Sequence, residues 1–334
     1  MHRKKLDQKE LAKRLGVSQM TISRVLNSQT GVSKKLREKI LKFVEQCDYV
    51  HDQVAAGLRA KSTQVFGLVI PDVSYSFFPN ITKNIECLAS KEGYNVILAH
   101  SYESYIEECK QINLLLGFRV SGLIIAPAGK QNEIDIYQKL QRLKIPFVFV
   151  DRIKKNIDCS SVVTDIEKGA AEMANYLIQK GYKKWGYLAG PSGVSSSDEH
   201  LRGLKKSLTA AGLDESSMVM VRAGFDQEHG YKAVQKLLSQ VNPDVIVAVN
   251  DPVAIGAYRF LKEKGIKVPG DMGLVGFSDL ESSDILEVPL TTVRERTNVI
   301  GQKAISLLLN EKSSSVATRQ KLRIAGELII RNSA

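Results

Sequence analysis

Leu11-Ala12-Lys13-Arg14-Leu15-Gly16-Val17-Ser18-Gln19-Met20-Thr21-Ile22-Ser23-Arg24-Val25-Leu26-Asn27 is the stretch on which the reading of this chain turns. Leu6, Leu11 and Leu15, with the small Ala12, fall near one helical face. Gly16 ends that helix with the left-handed freedom a tight turn needs. Ser18 opens a second helix as its N-cap. Ile22, Val25 and Leu26 share one face of it, and Gln19, Met20, Ser23, Arg24 and Asn27 share the other. Ser33 caps a third helix, with Leu36, Ile40, Phe43 and Val44 facing inward. Two short helices about an Ala-xxx-Gly corner, with a third behind, make a helix-turn-helix. The second helix of such a unit enters the major groove. Gln19 and Arg24 carry the amide and guanidinium that read A and G edges, and Met20 suits a thymine methyl. Thr21, Ser23 and Asn27 are short polar groups suited to phosphates. With Ser18 and Ser33 at the helix starts, these are the candidate DNA-binding residues. A three-helix bundle without a partner is the alternative, but this face lacks the Glu/Lys pairs of an ordinary solvated helix.

Charge agrees with a polyanion partner. The 334 residues hold 47 Lys+Arg against 36 Asp+Glu, a net of +11. Residues 1–63 hold 14 Lys/Arg against 6 Asp/Glu, so eight of the eleven excess charges sit in the first fifth of the chain. Arg3, Lys4, Lys5, Lys34 and Lys35 supply salt-dependent phosphate affinity without base preference. At 43% hydrophobic and 25% charged the chain reads as globular. No apolar run reaches the ~18 residues of a membrane span, and no apolar core follows the basic start as a signal peptide requires. Cys47, Cys87, Cys109 and Cys159 are scattered, which fits a reducing, cytoplasmic setting and no zinc knuckle.

After residue 63 short apolar runs alternate with amphipathic stretches. Strands are expected at 65–70, 95–99, 122–126, 146–150, 184–188, 244–249 and 272–277. Helices are expected at 81–91, 105–116, 168–180, 201–211, 230–239 and 253–264. This alternation implies α/β architecture with parallel doubly wound sheets. The strand count is large for one sheet, so two similar lobes are expected, the second starting near Val163–Thr164. A last helix, 298–309, and a strand, 322–330, cross back between them. No catalytic set or cofactor motif emerges: there is no GxGxxG after the first strand, no GxSxG, no P-loop and no HExxH. The chain is therefore expected not to be an enzyme and to need no cofactor or metal. Residues 52–62 are Ala-rich but too short for a stable lone helix, and Gly57 weakens it further. That segment reads as a linker that is helical only when held, or else as a passive tether.

Taken in order, Leu11-Ala12-xxx-Gly16-Val17-Ser18-xx-Thr21-Ile22-Ser23-Arg24-Val25-Leu26-Asn27, then Val32-Ser33 and Tyr49, resemble the headpiece of the lactose/galactose-repressor family of bacterial transcription regulators. The resemblance runs along the whole chain. It implies a three-helix headpiece at 1–47, a hinge at 48–63 and an effector-binding, dimerising core at 64–334. The core is periplasmic-binding-protein-like, with lobe 1 at about 64–162 and 294–322 and lobe 2 at about 163–293 and 323–334. Leu58 matches the leucine that wedges into the minor groove at the dyad. The implied partners are a pseudo-palindromic double-stranded operator, a small-molecule effector and a second copy of the chain. A repressor is expected ahead of an activator. A sugar-binding transport component or a nonspecific DNA binder are further readings, which the basic headpiece and the two-lobe core respectively disfavour.

In doubly wound sheets ligands sit at the carboxyl ends of strands. Candidate effector residues there are Phe77, Phe78, Asp151, Ser196, His200, Phe225, Asn250, Ser278 and Asp279. Aromatics with a few fixed polar groups suit a polyol or a base, although Phe77 and Phe78 could equally be core filler. By resemblance Asp151, Asn250 and Phe225 match effector-contacting positions. His200 stands where the family commonly has Arg, and Ser278 where it commonly has Asp. In lacking both, the chain is similar to the gluconate-repressor branch, which it also matches at Met20-Thr21 and at Arg294-Glu295-Arg296 after Leu290-Thr291-Thr292. A sugar acid such as gluconate is the implied effector, with His200 able to carry a proton toward it.

Overall fold

A computed structural model describes residues 7–26, 30–47, 49, 63–73, 77–213, 215–313 and 319–334. Arg3, Lys4, Lys5, Leu6, Asn27 and nearly all of the expected hinge, with Gly57 and Leu58, lie outside the described residues. The chain divides into two compact units, Met1–Thr63 and Gln64–Ala334.

The first unit is helical. Helix α1 (Gln8–Leu15) starts where Asp7 Oδ1 accepts from the Glu10 amide at 2.7 Å, and it stops at Gly16, whose φ of 67° is left-handed. Helix α2 (Gln19–Leu26) starts where Ser18 Oγ accepts from the Thr21 amide at 3.1 Å. Helix α3 (Lys34–Gln46) is capped by Ser33, whose hydroxyl accepts from the Leu36 amide at 3.4 Å. Each cap satisfies an amide that the first turn leaves without a helical partner. Leu11, Ala12, Ile22, Val25 and Ile40 form the buried centre, ringed by Leu15, Val17, Leu36, Phe43, Val44 and Tyr49.

The second unit alternates strand and helix: β1 (Val65–Ile70), α4 (Phe77–Lys91), β2 (Asn95–His100), α5 (Tyr105–Gly117), β3 (Gly122–Ile125), α6 (Asp135–Arg142), β4 (Phe147–Val150) and β5 (Ser160–Thr164). Then follow α7 (Ile166–Gln179), β6 (Trp185–Ala189), α8 (Ser195–Ala210), β7 (Met218–Arg222), α9 (Gln227–Leu238), β8 (Val245–Ala248), α10 (Asp251–Glu263) and β9 (Gly273–Val275). The chain closes with α11 (Glu281–Asp284), β10 (Thr292–Arg294), α12 (Thr297–Ser313), β11 (Lys321–Ile324) and β12 (Glu327–Ile329). The first sheet has the order β11-β5-β4-β3-β1-β2 and the second β7-β6-β8-β9, with every named pairing parallel. Strands β10 and β12 form a separate antiparallel pair. Helices cover both faces of each sheet, so the inner strands are apolar throughout and fully buried, as in Leu123-Ile124-Ile125 and Val245-Ile246-Val247.

The chain passes between the sheets between β5 and α7, between β10 and α12, and between β11 and β12. Two expectations change in detail. Ser160–Thr164, which begins with two polar residues, is a strand of the first sheet rather than the opening of the second lobe. The single strand expected at 322–330 is two strands, β11 in the first sheet and β12 paired with β10. Met218–Arg222, not among the expected strands, is a half-exposed edge strand although four of its five residues, Met218-Val219-Met220-Val221, are apolar.

Helices α9 and α10 approach closely through two glycines. A Cβ on Gly256 would stand 1.9 Å from the Gln227 carbonyl oxygen, and one on Gly230 would stand 2.2 Å from that of Val253. Backbone oxygens cannot step aside as a flexible side chain can, so Gly256→Ala forces the helices apart. Urea unfolding of G256A should show a loss of about 1–3 kcal/mol, the cost of overpacking; unchanged stability would mean that the helices separate freely.

A candidate DNA-reading face and an effector cleft

The outer face of α2 carries Gln19, Met20 and Arg24, all exposed, with Thr21 and Ser23 half-buried beside them. Met20 is 65% exposed, a large apolar side chain with no packing reason to face water. The two serines at the helix starts already have work. Ser18 Oγ bonds both the Thr21 amide and Thr21 Oγ1 (2.8 Å), and Ser33 Oγ caps α3. Toward a phosphate, which only accepts, Ser33 still has its hydroxyl proton, and Ser18 has its own when Thr21 Oγ1 donates in their shared bond. Asn27 lies outside the described residues.

In the second unit the carboxyl ends of both sheets line one cavity, partly open to solvent. Phe77 and Phe78 open α4 after β1, Asp151 and Arg152 follow β4, and Ile166 follows β5. From the second lobe come Ser196 and His200 on α8, Phe225 after β7, Val249 and Asn250 after β8, Phe277 and Ser278 after β9, and Glu295 after β10. Eight of the nine candidate effector residues therefore share one wall, and the ninth does not. Asp279 is absent from it because its carboxylate is taken by Arg294 Nε (2.6 Å) and Arg331 Nη2 (2.7 Å). Phe77 and Phe78 serve both readings: they meet edge to face at 5.4 Å, belong to the first lobe's core, and show the cavity one side.

Asn250 is largely committed to structure. Its Oδ1 caps α10 through the Val253 amide (3.0 Å), and its Nδ2 donates to the Phe225 carbonyl (2.8 Å). Its neighbour Asp251 is fully buried as an acceptor, taking the Leu280 amide (2.9 Å), Ser283 Oγ (2.7 Å) and Thr292 Oγ1 (2.6 Å).

The charged wall centres on Arg152, which is 4% exposed. Its Nη1 and Nη2 donate to the two Glu103 oxygens at 2.6 and 2.8 Å, and its Nε lies 3.1 Å from Asp151 Oδ2. The guanidinium also lies over the Phe225 ring at 4.9 Å, joining the two lobes. Burial pushes the Asp151 carboxyl up to about 6, against the pull of Arg152. Burial, helped by Asp151's charge, pushes Glu295 up to about 8, although Thr164 Oγ1 donates to it at 2.7 Å. Behind this wall Lys154 Nζ donates to the carbonyls of Ala128 (2.7 Å), Gly129 (3.2 Å) and Lys130 (2.5 Å), which fixes the loop after β4. Two further ties cross the gap: the Ile153 amide donates to Ser195 Oγ at 3.0 Å, and Arg323 grips Glu199 at 2.9 and 2.7 Å. Sequence reasoning passed over Arg152 and Glu295 as wall residues. Their signals were adjacency to Asp151 and the Arg294-Glu295-Arg296 run.

The expectation of a proton on His200 is overturned. The ring is 2% exposed, stacked on Tyr187 (5.4 Å, 5°) and set edge-on to Phe277 (5.2 Å). Burial holds its pKa down to about 3, so the imidazole is neutral at physiological pH. Its Nδ1 is buried and has no hydrogen-bond partner among the described residues.

Two family models match this chain: "Bacterial regulatory proteins, lacI family" over residues 8–52, and "Periplasmic binding proteins and sugar binding domain of LacI family" over residues 63–331. The chain belongs to the LacI family. Among its relatives is Catabolite control protein A of Priestia megaterium, 30% identical over 301 residues, covering 90% of each chain. Another is the ribose operon repressor of Halalkalibacterium halodurans, 29% identical and covering 97% of this chain and 95% of the relative. The lac repressor dimer bound to operator and the anti-inducer ONPF has the same fold, with a TM-score of 0.86, 25% identity and 99% of each chain covered. As a LacI-family member the protein is a DNA-binding transcription regulator controlled by a small-molecule effector. Among the described residues no helix is long and apolar enough to cross a membrane.

A neutral buried His200 leaves a mark on stability. The unfolded chain protonates it near 6.5 and the folded chain only near 3. Between these values the unfolded state holds more protons, so this contribution is complete above about pH 6.5 and is lost as pH falls toward 3, at up to ~1.4 kcal/mol per pH unit. Asp151 and Glu295, raised on folding, act in the opposite sense, but they are common to the protein and its His200→Phe variant. Urea unfolding from pH 6.5 to 4.5 should therefore show the variant losing stability less steeply than the parent. Parallel curves would place a charged His200 in the fold.

Proposed function

We propose that this protein is a homodimeric, cytoplasmic repressor. Two headpieces would read a pseudo-palindromic operator through Gln19, Met20 and Arg24, with Thr21, Ser23, Asn27 and the serines at 18 and 33 on the backbone. The observation that carries this reading is the outer face of α2. It is exposed and short of carboxylates, and it sets a guanidinium, an amide and a thioether side by side where a recognition helix needs them. Segment 48–63 acts as the conditional hinge, with Leu58 as the minor-groove wedge. Effector bound in the cleft shifts one lobe against the other and alters the hinge. A coupling of ~1–3 kcal/mol gives roughly a 5–150-fold change in operator affinity.

The effector we infer is sugar-sized and hydroxylated. A sugar acid such as gluconate finds little support in the cavity. Among the described residues Arg152 is its one cationic wall residue and is already matched by Glu103 and Asp151, Glu295 adds a second wall carboxyl, and His200 carries no charge. A ligand carboxylate would meet the Asp151 carboxylate with no unpaired cation on the wall to offset it.

A gel shift against palindromes selected from a random DNA pool tests the regulator. Arg24→Ala should lose about 1–3 kcal/mol at one base position while retaining affinity for random DNA. Leu58→Ala should weaken operator binding while effector binding persists. Equal affinity of the parent protein for every duplex would reject sequence-specific control.

A further inference from the structure

The cleft's charge goes beyond excluding acids; it also points to what enters. Around the cavity stand Asp151 and Glu295 on the wall, with Glu103 and Glu199 beside Asp151 and Asp251 near Glu295. Against them stands Arg152, held bidentately by Glu103. His200 is uncharged, and Arg323 is spent on Glu199. Lys154, behind the wall, is spent on three backbone carbonyls, so carboxyl groups outnumber unpaired cations around the cavity. A second feature is the wall imidazole of His200, 2% exposed, whose Nδ1 has no hydrogen-bond partner among the described residues. The four aromatic walls, Phe77, Phe78, Phe225 and Phe277, suit a ring face or a cation.

We propose that the cleft selects a hydroxylated ammonium ligand, an amino sugar or amino polyol, whose cationic nitrogen lodges between Asp151 and Glu295. The inference rests on the cleft being the effector site, as proposed above. The ammonium supplies the charge that the wall lacks, and the ligand's hydroxyls meet Ser196 and Ser278. Glu295 and Asp151 are held partly protonated by burial. Entry of the cation draws them into the ionised form, and the carboxyl proton leaves to solvent. Affinity for the amine accordingly falls as pH drops from about 7 to about 5, where both carboxyls hold their protons; affinity for a neutral analogue stays level.

Calorimetry on the full-length protein tests this with two matched pairs. One pair is D-glucosamine against D-glucose; the other is tris(hydroxymethyl)aminomethane against pentaerythritol. Within each pair an ammonium replaces a hydroxyl or hydroxymethyl group. At about pH 7 at least one amine should bind about tenfold more tightly than its partner, with proton release detected by repeating the titration in buffers of different ionisation enthalpy. Glu295→Gln and Asp151→Asn, each checked for folding by circular dichroism, should each narrow that preference. The inference is overturned if neither amine binds, if the neutral partners bind as well, or if folded variants keep the full preference. A gel shift on the same preparation separates the two readings: operator binding intact with no amine preference removes only the ligand class, whereas loss of operator binding removes the regulator.

Discussion

A guanidinium withdrawn from water has to be matched on every side, and the matching of Arg152 organises the cleft between the lobes. Two carboxylates and an aromatic ring do it: Glu103 from the loop after β2, Asp151 beside it, and Phe225 from the other lobe. Removing one partner would leave a charge stranded in a poor solvent, which is costlier than never having buried the pair. The loop after β4 is therefore not free to drift. Lys154, anchored on three successive carbonyls, holds the same loop from behind. The cavity between the lobes thus inherits a defined wall before any ligand arrives.

That wall also ties the two lobes together. The chain joins the sheets at three places, and side chains bridge them at others: Ile153 to Ser195, Arg323 to Glu199 and Arg152 to Phe225. A molecule that competes for Asp151 or Glu295 changes the electrostatics of groups attached to both lobes. The packed apolar cores on either side, such as those around Phe66 and Ile246, resist gradual deformation.

Much of the site was legible in the sequence because doubly wound sheets put ligands at strand ends, and strand ends can be counted. Phe77, Asp151, Ser196, Phe225, Asn250 and Ser278 were found that way and line one cavity. The failures have separate physical causes. Asp279 follows a strand end but is turned into an ion cluster with Arg294 and Arg331, a pairing across elements that no spacing reveals. His200 has the pKa of a switch in water, yet its aromatic cage strips the proton.

The headpiece was readable almost completely, because its signals are local: a left-handed glycine, two serine caps and a 3.6-residue stripe each act within a few residues. The sequence by itself also determined that the core is α/β, since alternation of apolar runs with amphipathic helices admits little else. Only the tertiary structure decided which charges meet. Burial and pairing depend on groups far apart in the chain, such as Arg152 with Glu103 and Thr164 with Glu295, and it is those long-range partners that set protonation and the character of the cleft.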